Sequence, residues 1–413
     1  MLHDGGFGRP RRRRGSGNVL THAIMTLLGA ALAAGLLLAF YSPASGSSLP
    51  GSGAVPSPGS SAAPLTGGEQ GIVTKIEPGL VIINTTLQYD SEAAAGTGMV
   101  LNADGLVLTN NHVIEGSTKV SATLVSTGKT YPATVVGYDK TGDVALIQLQ
   151  DASGLTTVPI GNSASVKVGN TVVALGNAEG QGSATTTAGQ VTGLNQTITA
   201  SDEGGSTASE TLTGMIQTNA DIVPGDSGGP LAGSAGVIGM DTAGNDANNQ
   251  QVSEGFAIPI GTALSVARQI AGGHASSVIT IGYPPFVGIF IGSGSSSSPP
   301  VQAQQEEQQN GSGSGSTPAC STSNSDLTVP SAIAPVSSGT LVIGTICGSP
   351  AAAAGMTGGA VITAVNGQGV GSPDDLSGIL ARFHPGEVIS VTWISPSGQR
   401  TTSSLHLAAG PPQ

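Results

Sequence analysis

The sequence is poor in aromatic and charged side chains. Aromatic residues make up 3% of the 413 residues and charged residues 9%, and only 13 residues are Lys or Arg. Five of these are arginines at positions 9 and 11–14. Apart from them and Asp4, the chain has 8 basic and 24 acidic residues. Because so acidic a surface repels a phosphate backbone, we expect no nucleic-acid partner.

The two residues that break long helices, glycine and proline, are abundant. The chain has 64 Gly and 25 Pro, which are the two poorest helix formers. This composition excludes a coiled coil or a helix bundle and predicts a mainly β protein.

Cysteine is nearly absent. Cys320 and Cys347 permit one disulfide in an oxidising compartment, and two free thiols are the alternative. No Cys/His pattern has the spacing of a metal site, so we expect neither a metal nor a cofactor.

The one long apolar run lies near the N-terminus. Residues 19–41 carry no formal charge and follow a basic segment, 1–18, that contains the arginines at 11–14. The stretch 23–40 would span about 27 Å as a helix, close to the thickness of a hydrocarbon core. The arginines favour the cytoplasmic side, which places the rest of the chain outside. We therefore predict a single-pass transmembrane anchor at 19–41. The alternative is a cleavable signal peptide, whose apolar core is usually about 7–15 residues long.

The remaining chain divides into linkers and two folded regions. Residues 42–68 are rich in Ser, Pro, Gly and Ala, which predicts a disordered linker. Residues 69–275 alternate short β-type runs with turns, which indicates β-barrels or a sandwich. Residues 284–407 predict a small domain with a low-complexity insertion at 293–316.

Several elements of the two regions can be placed more closely. The runs 98–101 and 106–109 flank an Asn-Ala-Asp-Gly turn and predict a hairpin. A helix is expected at 262–271, before Gly272 and Gly273. In the second region we expect a strand at 341–346 and a helix near 374–383.

The candidate chemistry lies in the first region. Ser227 stands between glycines in Gly-Asp-Ser-Gly-Gly-Pro, a loop that can expose a hydroxyl and aim backbone N–H groups at one point. A serine nucleophile needs a base, and His112 is the one histidine between 69 and 273. Asp143 opens an apolar strand, where its carboxylate could orient the imidazole. The order His, Asp, Ser is that of the chymotrypsin-type triad.

These motifs resemble the HtrA (Deg) family of trypsin-like serine proteases. The resemblance covers the region end to end and rests on Thr-Asn-Asn-His-Val at 109–113, Asp-Val-Ala-Leu at 143–146, Pro-Gly-Asp-Ser-Gly-Gly-Pro at 224–230 and Gly-Phe-Ala-Ile-Pro at 255–259.

The resemblance implies a chymotrypsin-like pair of perpendicular six-stranded β-barrels with the active site in the cleft between them. It makes His112 the general base, Asp143 its orienting carboxylate and Ser227 the nucleophile. The backbone N–H groups of Gly225 and Ser227 would form the oxyanion hole. Taken singly, each residue could be an ordinary turn or core residue, and a folded but inactive protease scaffold remains the alternative.

Two acidic residues depart from what many relatives carry. Asp226 precedes the nucleophile where many HtrA proteins have Asn. In zymogen-type relatives an aspartate there pairs with a newly formed N-terminal amine, but no clear activation site precedes Ile72 and Val73. Asp221 lies six residues before Ser227, where trypsin keeps its pocket carboxylate. If it is buried, it would favour Lys or Arg beside the cleaved bond; a surface turn residue is the alternative.

The second region resembles a PDZ domain of the bacterial HtrA type. Phe286, Val287, Gly288 and Ile289 match the carboxylate-binding loop, and the stretches 348–356 and 362–367 match the domain pattern. An exposed strand edge would bind an extended peptide, while loop N–H groups bind its terminal carboxylate. Ile289 and Ile379 could line the side-chain pocket, although Ile379 could equally be a core residue.

The resemblance implies a membrane-anchored serine endopeptidase that cleaves unfolded or damaged exported proteins. Its partners would be polypeptide substrates and C-terminal peptides, and relatives are commonly homotrimers. The alternatives are a PDZ adaptor or holdase built on a protease fold, and a secreted, soluble protease.

Overall fold

The computed structural model describes residues 64–87, 92–180, 182–201, 209–244, 254–291, 320–322, 327 and 329–413. The predicted basic segment, the predicted membrane anchor, nearly all of the predicted linker and the predicted insertion at 293–316 lie outside these residues. Within the described ranges, no helix combines the length and the apolar character needed to cross a bilayer.

The first barrel is a ring of six antiparallel strands. Its strands are β1 (Leu80–Leu87), β2 (Glu92–Val100), β3 (Leu106–Thr109), β4 (Lys119–Leu124), β5 (Thr130–Asp139) and β6 (Val144–Leu149). They pair in the order β5-β4-β1-β2-β3-β6, and β5 also pairs with β6, which closes the ring. Buried and more exposed residues alternate along β4 and along most of β5, as expected when one face of each strand covers a core. The predicted hairpin is confirmed, with Met99 of β2 opposite Leu108 of β3.

The second barrel is also closed and six-stranded. It consists of β7 (Thr171–Gly176), β8 (Thr185–Ser201), β9 (Ser209–Thr218), β10 (Pro230–Gly233), β11 (Gly236–Gly244) and β12 (Gly255–Pro259), in the order β10-β11-β12-β9-β8-β7. The predicted helix follows it but begins two residues earlier than expected, at Ile260, and ends at Ala271. Short 3-10 turns lie at Glu77–Gly79, Ser163–Ser165 and Ala178–Gly180.

The helix at the start of the first region was not predicted. It is α1 (Gly67–Ile76) and begins inside the stretch 42–68 that the composition assigned to a linker. Thr66 and Glu69 form a reciprocal capping box, which satisfies two backbone N–H groups at the helix start. Its apolar face packs into the core through Ile72, Val73 and Ile76. The two glycines at its start hid this amphipathic pattern.

One core cluster includes residues of both barrels together with α1 and the later helix, here α3 (Ile260–Ala271). The predicted catalytic residues stand on connections of both barrels. His112 lies in the short helix α2 (Asn111–Ile114) after β3, Asp143 lies between β5 and β6, and Ser227 lies between β9 and β10. The core therefore holds three separate loops in fixed relation to one another.

The second region forms a smaller α+β domain. Before it, β13 (Ile279–Ile281) extends the sheet of the first barrel by pairing with β5. The small domain contains β14 (Pro285–Phe286), β15 (Ile289–Phe290), β16 (Thr340–Leu341), β17 (Gly344–Thr345), α4 (Pro350–Ala353), β18 (Val361–Val365), β19 (Gln368–Gly369), α5 (Pro373–Leu380), β20 (Val388–Ile394), β21 (Arg400–His406) and β22 (Ala408–Ala409). Trp393 lies in its core. Ser372 caps α5, as its sequence suggested, but the helix ends at Leu380 rather than near 383.

The single strand expected at 341–346 is two strands with different partners. β16 pairs with β18, whereas β17 pairs with β15. Between them, Val342 N–H donates to Ala360 O and Ile343 N–H donates to Phe290 O. The apolar run is continuous in sequence, but its two halves join different sheets, so hydropathy alone could not show the break.

Candidate functional site

The loop around Ser227 depends on its glycines. Gly225 and Gly228 have φ values of 97° and 83°, a region that L-residues rarely adopt. A Cβ at Gly228 would overlap Thr97 O and the Thr109 hydroxyl, and one at Gly225 would overlap Asn177 O. The loop can therefore lie directly on the backbone of the first barrel, where Thr97 N–H donates to Ser227 O at 2.8 Å.

The structure brings His112 and Asp143 together. His112 Nδ1 lies 3.1 and 3.0 Å from the two carboxylate oxygens of Asp143, and the backbone N–H of His112 donates to Oδ1 at 3.1 Å. The Asp143 side chain is 2% exposed and that of His112 is 30% exposed. With a proton on Nδ1 facing the carboxylate, Nε2 is the nitrogen that can accept a proton.

Asp143 is held in a strained turn. Its φ is 51°, and its carbonyl oxygen accepts a hydrogen bond from Asn110 Nδ2 at 2.9 Å. Asp and Asn tolerate this left-handed conformation better than most residues. Asn110, two residues before His112, thus also fixes the backbone of Asp143.

Thr242 of β11 contacts both Asp143 and Ser227. Its hydroxyl donates to Asp143 Oδ2, and its carbonyl oxygen accepts from Ser227 Oγ at 3.2 Å. Sequence reasoning missed this residue, because no local motif marks it. Only the packing of β11 behind the nucleophile loop, where Asp241 N–H donates to Gly229 O and Gly228 N–H donates to Asp241 O, places it between the two side chains.

We expect Thr242→Val to lower the rate of Ser227 acylation by about 10–100-fold. The substitution removes a hydrogen bond to an ionised carboxylate, worth roughly 1.5–3 kcal/mol. Thr242→Ser keeps the hydroxyl and should retain most of the rate. The rate of labelling by a fluorophosphonate probe measures both variants. Equal rates for the Val and Ser variants would show that the hydroxyl does not position Asp143.

The backbone N–H groups of Gly225 and Ser227 are available to a ligand. Neither donates a hydrogen bond among the described residues, whereas the intervening Asp226 N–H donates to Val223 O at 3.0 Å. These two N–H groups flank Asp226 in the same loop that carries the Ser227 hydroxyl. Preorganised donors of this kind are what an oxyanion requires.

Two buried carboxyl groups lie at the nucleophile loop: that of Asp226 within the loop and that of Asp241 in β11 behind it. Asp226 is 4% exposed; its Oδ2 accepts the Val223 N–H, and its Oδ1 has no hydrogen-bond partner among the described residues. Asp241 is fully buried, and both of its carboxyl oxygens lack such a partner there. Burial raises the pKa of Asp226 to about 6, with a further increase from Asp221 and an opposing effect of the Val223 N–H. Burial also raises the pKa of Asp241 well above its usual value, with Asp226 adding to the effect.

We expect the unfolding free energy of the wild-type chain to fall as the pH rises from 4 to 6, and Asp226→Asn to reduce that fall. A raised carboxyl pKa means that the folded state binds the proton more tightly, so stability is present below the unfolded pKa and is lost as pH rises to about 6. The shift corresponds to about 3 kcal/mol of unfolding free energy. Urea unfolding at several pH values, followed by circular dichroism, tests this, with the exposed Asp104→Asn as the control. An unchanged pH dependence in Asp226→Asn would contradict it.

Asp221 does not meet the condition for a pocket carboxylate. It is exposed, while its neighbours Ala220 and Ile222 are buried. The side chain of Ile222 instead packs against the backbone at Gly255. Because the side chain of Asp221 is exposed, the burial on which a preference for Lys or Arg would depend is not met.

The loop predicted to bind a peptide carboxylate packs on the start of α4. Ser349 Oγ donates to Gly288 O at 3.0 Å, Ala351 N–H donates to Val287 O at 2.9 Å, and a Cβ on Gly288 would overlap Ser349. Among the described strands, β15 pairs only with β17, which leaves one edge for an added strand. Ile289 is half-buried.

Ile379 does not line a pocket. It is 4% exposed and belongs to the core of the small domain. Its spacing on the amphipathic helix α5 is the reason, since it follows Leu376 on the same inward face.

Cys320 and Cys347 form a disulfide, with their sulfur atoms 2.02 Å apart. Around it, Ser321 N–H donates to Thr345 O and Cys347 N–H donates to Ser321 O, both at 2.8 Å. The bridge therefore fastens the segment at 320–321 to the edge of β17. No group of three or more His, Cys, Asp or Glu residues in the described ranges is arranged to hold a metal ion.

Comparison with known proteins agrees with this geometry. The trypsin-like peptidase domain family matches residues 96–240, and the PDZ domain family matches residues 343–394. Serine protease PepD of Mycobacterium tuberculosis is 30% identical over 350 residues, which cover 81% of this chain and 64% of PepD. The periplasmic pH-dependent serine endoprotease DegQ of Escherichia coli is 39% identical over 177 residues, covering 42% of this chain and 37% of DegQ.

A probable periplasmic serine endoprotease, DegP-like, from Chlamydia pneumoniae is 41% identical over 171 residues, covering 41% of this chain and 32% of that protein. The chain thus spans less than two thirds of the length of these relatives. The matched peptidase domain contains His112, Asp143 and Ser227, and the matched PDZ domain follows it in sequence. By its domains and its relatives, this chain pairs a trypsin-like peptidase domain with a PDZ domain and is similar to serine proteases of the HtrA/DegP type.

Proposed function

We propose that this chain is a serine endopeptidase that acts outside the cytoplasm on unfolded or damaged exported polypeptides. The observation that carries the proposal is the connected set of His112, Asp143, Thr242 and Ser227, in which the imidazole and the nucleophile are tied to one another through Thr242 and Asp143. The periplasmic proteases among its relatives support the compartment.

In the acylation step, Ser227 Oγ attacks the carbonyl carbon of the scissile peptide bond while its proton passes to His112 Nε2. The carbonyl oxygen becomes an oxyanion that accepts hydrogen bonds from the N–H groups of Gly225 and Ser227. His112 then gives the proton to the leaving amine, the C–N bond breaks, and an acyl ester remains on Ser227. Asp143 stabilises the imidazolium that exists between these two transfers.

In the deacylation step, water takes the place of the departed amine. His112 removes a proton from the water as its oxygen attacks the ester carbonyl, and then returns that proton to Ser227 Oγ as the acid is released. In the described structure the Ser227 hydroxyl donates to Thr242 O. For attack, this hydroxyl proton passes to His112 instead of being donated to Thr242 O.

A fluorophosphonate probe tests the chemistry directly. The intact chain should form a covalent adduct that peptide mapping places on Ser227, and it should digest casein. A chain that binds casein and suppresses its aggregation, but neither labels nor cleaves, would instead be the adaptor or holdase.

We assign peptide recognition to the PDZ domain through Phe286, Val287, Gly288 and Ile289. The edge of β15 that pairs with no described strand suits an added peptide strand, and the loop before it suits a terminal carboxylate. A peptide with an apolar C-terminal residue and a free carboxylate should bind, and the same peptide with a C-terminal amide should not. Equal affinities for the two peptides would refute this assignment.

The membrane anchor at 19–41 and a homotrimer are part of the same proposal. Both rest on the sequence pattern and on the family resemblance. Fractionation of cells should recover the chain with membranes, whereas a secreted form would appear in the soluble exported fraction. Sedimentation of the detergent-solubilised chain measures the number of subunits.

A further inference from the structure

A short segment links the peptide-binding loop of the PDZ domain to the catalytic loops. It consists of residues 408–413 and is called the strap here. At its start, Ala408 and Ala409 pair with Phe286 and Pro285 of β14, and Gly410 N–H donates to Pro284 O at 2.9 Å. The ring of Phe286 lies against Gly410 so closely that a Cβ there would be 2.9–3.1 Å from Phe286 atoms. The strap is thus in direct contact with the first residue of the loop.

The far end of the strap contacts the segment that carries His112. Gly116 N–H donates to Pro412 O at 2.8 Å, and Asn111 Nδ2 donates to Gln413 O at 3.4 Å. These contacts bracket His112 in sequence. Pro412 is buried, so this end is packed against the protein rather than lying over its surface.

The same end also contacts the segment that leads to Asp143. Tyr138 is 3% exposed and stands near the end of β5; burial raises its pKa, and the backbone of Gln413 beside its hydroxyl lowers it. These two segments are also joined directly by the hydrogen bonds that Asn110 Nδ2 and the His112 N–H donate to Asp143, and by an exposed ion pair between Lys140 and Glu115 at 3.2 Å. Because exposed ion pairs contribute little, the strap adds mainly to those two hydrogen bonds.

We infer that residues 408–413 are a positioning strap, which holds the segments carrying His112 and Asp143 in register and ties them to the peptide-binding loop at 286–289. This inference rests on the proposed function. The strap touches no reacting atom. It acts through the alignment of the imidazole with its carboxylate, and small misalignments of catalytic groups are costly in rate.

The tie also gives the PDZ loop a physical route to the triad. A peptide bound at 286–289 would order Phe286, which packs on Gly410, and would thereby favour the docked strap. By linkage, a docked strap should favour peptide binding to the same degree. The six residues of the strap connect the two sites, and backbone hydrogen bonds fix both ends of the strap.

The test removes residues 411–413 from the otherwise full chain, which leaves the pairing of β22 with β14 intact. With the fluorophosphonate probe, we expect kinact to fall about 5–10-fold with KI unchanged, because the strap positions His112 and Asp143 but does not contact the probe; the loss of one or two hydrogen bonds sets this scale. A C-terminal apolar peptide should raise kinact of the intact chain and leave that of the truncated chain unchanged.

Two variants, Pro412→Ala and Gln399→Ala, control for general damage, and a third, Tyr138→Phe, tests the contact at the far end of the strap. Pro412→Ala keeps the carbonyl oxygen that Gly116 uses and should retain most of the rate, while Tyr138→Phe removes only the hydroxyl and should lower kinact about 2–3-fold. Gln399→Ala, in an exposed turn of the same domain, should behave as the intact chain. Unfolding monitored by Trp393, the single tryptophan, reports whether the PDZ domain stays folded.

Hydrogen exchange separates failure of the strap from failure of the proposed function. Truncation should speed exchange of the Gly116 amide. If the intact chain does not label but this exchange accelerates, the proposed peptidase fails and the strap contact stands. If kinact and the exchange at 111–116 are both unchanged by truncation, the strap is overturned.

Discussion

Replacing Ser227 with alanine should lower peptide hydrolysis by about 10⁶-fold and abolish labelling by the fluorophosphonate probe. Loss of a serine nucleophile removes the covalent route altogether, and what remains is the contribution of binding and of the oxyanion donors. The loop itself should be little affected. The hydroxyl makes one hydrogen bond, to Thr242 O, whose loss costs about 1 kcal/mol, and the loop conformation depends on the glycines around it.

Casein digestion and probe labelling of the purified chain measure this effect. The matched control is Ser126→Ala, which also removes a serine hydroxyl bonded to a backbone carbonyl, here Pro78 O, at an exposed position of the first barrel. That variant should keep full activity. Casein digestion by Ser227→Ala at more than a thousandth of the wild-type rate would mean that another residue is the nucleophile.

Asp143→Asn should reduce kcat by about 10⁴-fold while the fold is retained. Asparagine tolerates the φ of 51° at this position, and its carbonyl oxygen can still accept the backbone N–H of His112. Its amide group, however, is a donor where the carboxylate was an acceptor. The imidazole must then carry its proton on Nε2, and that nitrogen can no longer accept the proton of Ser227.

The control for this substitution is Asp151→Asn. Asp151 also has a positive φ, 55°, but it lies on the surface after β6. Its replacement tests whether the conformation alone makes an Asp-to-Asn change costly, and we expect no loss of activity. If Asp143→Asn loses less than tenfold in kcat, Asp143 does not fix the imidazole tautomer, and the assignment of the triad would have to be revised.

The residues of the triad could be predicted from sequence because each lies in a short motif with its own local constraint. Ser227 is marked by glycines that the loop needs for close approach, and His112 is the one histidine available in its region. Asp143 was marked by its place at the start of an apolar strand. Thr242 lacked any such mark, since its role comes from strand pairing with residues far away in sequence.

The same reasoning explains the predictions that the structure corrected. The expected role of Asp221 required a buried carboxylate, but tertiary packing buries Ile222 and leaves Asp221 exposed. The run at 341–346 divides because its halves find partners in different sheets. Helix α1 was missed because two glycines begin it, although its capping box and its buried face are sufficient to form it.

The sequence by itself determined the class of fold and the identity of the chemical groups, since glycine-rich turns, alternating β runs and a lone histidine are local properties of the chain. Tertiary structure alone decided which groups meet. The bridge through Thr242, the buried pair of Asp226 and Asp241 and the strap from Phe286 to Gly116 all join positions far apart in sequence. Their contacts depend on strand register and on the packing of separate loops over one core, and neither is encoded in a local pattern.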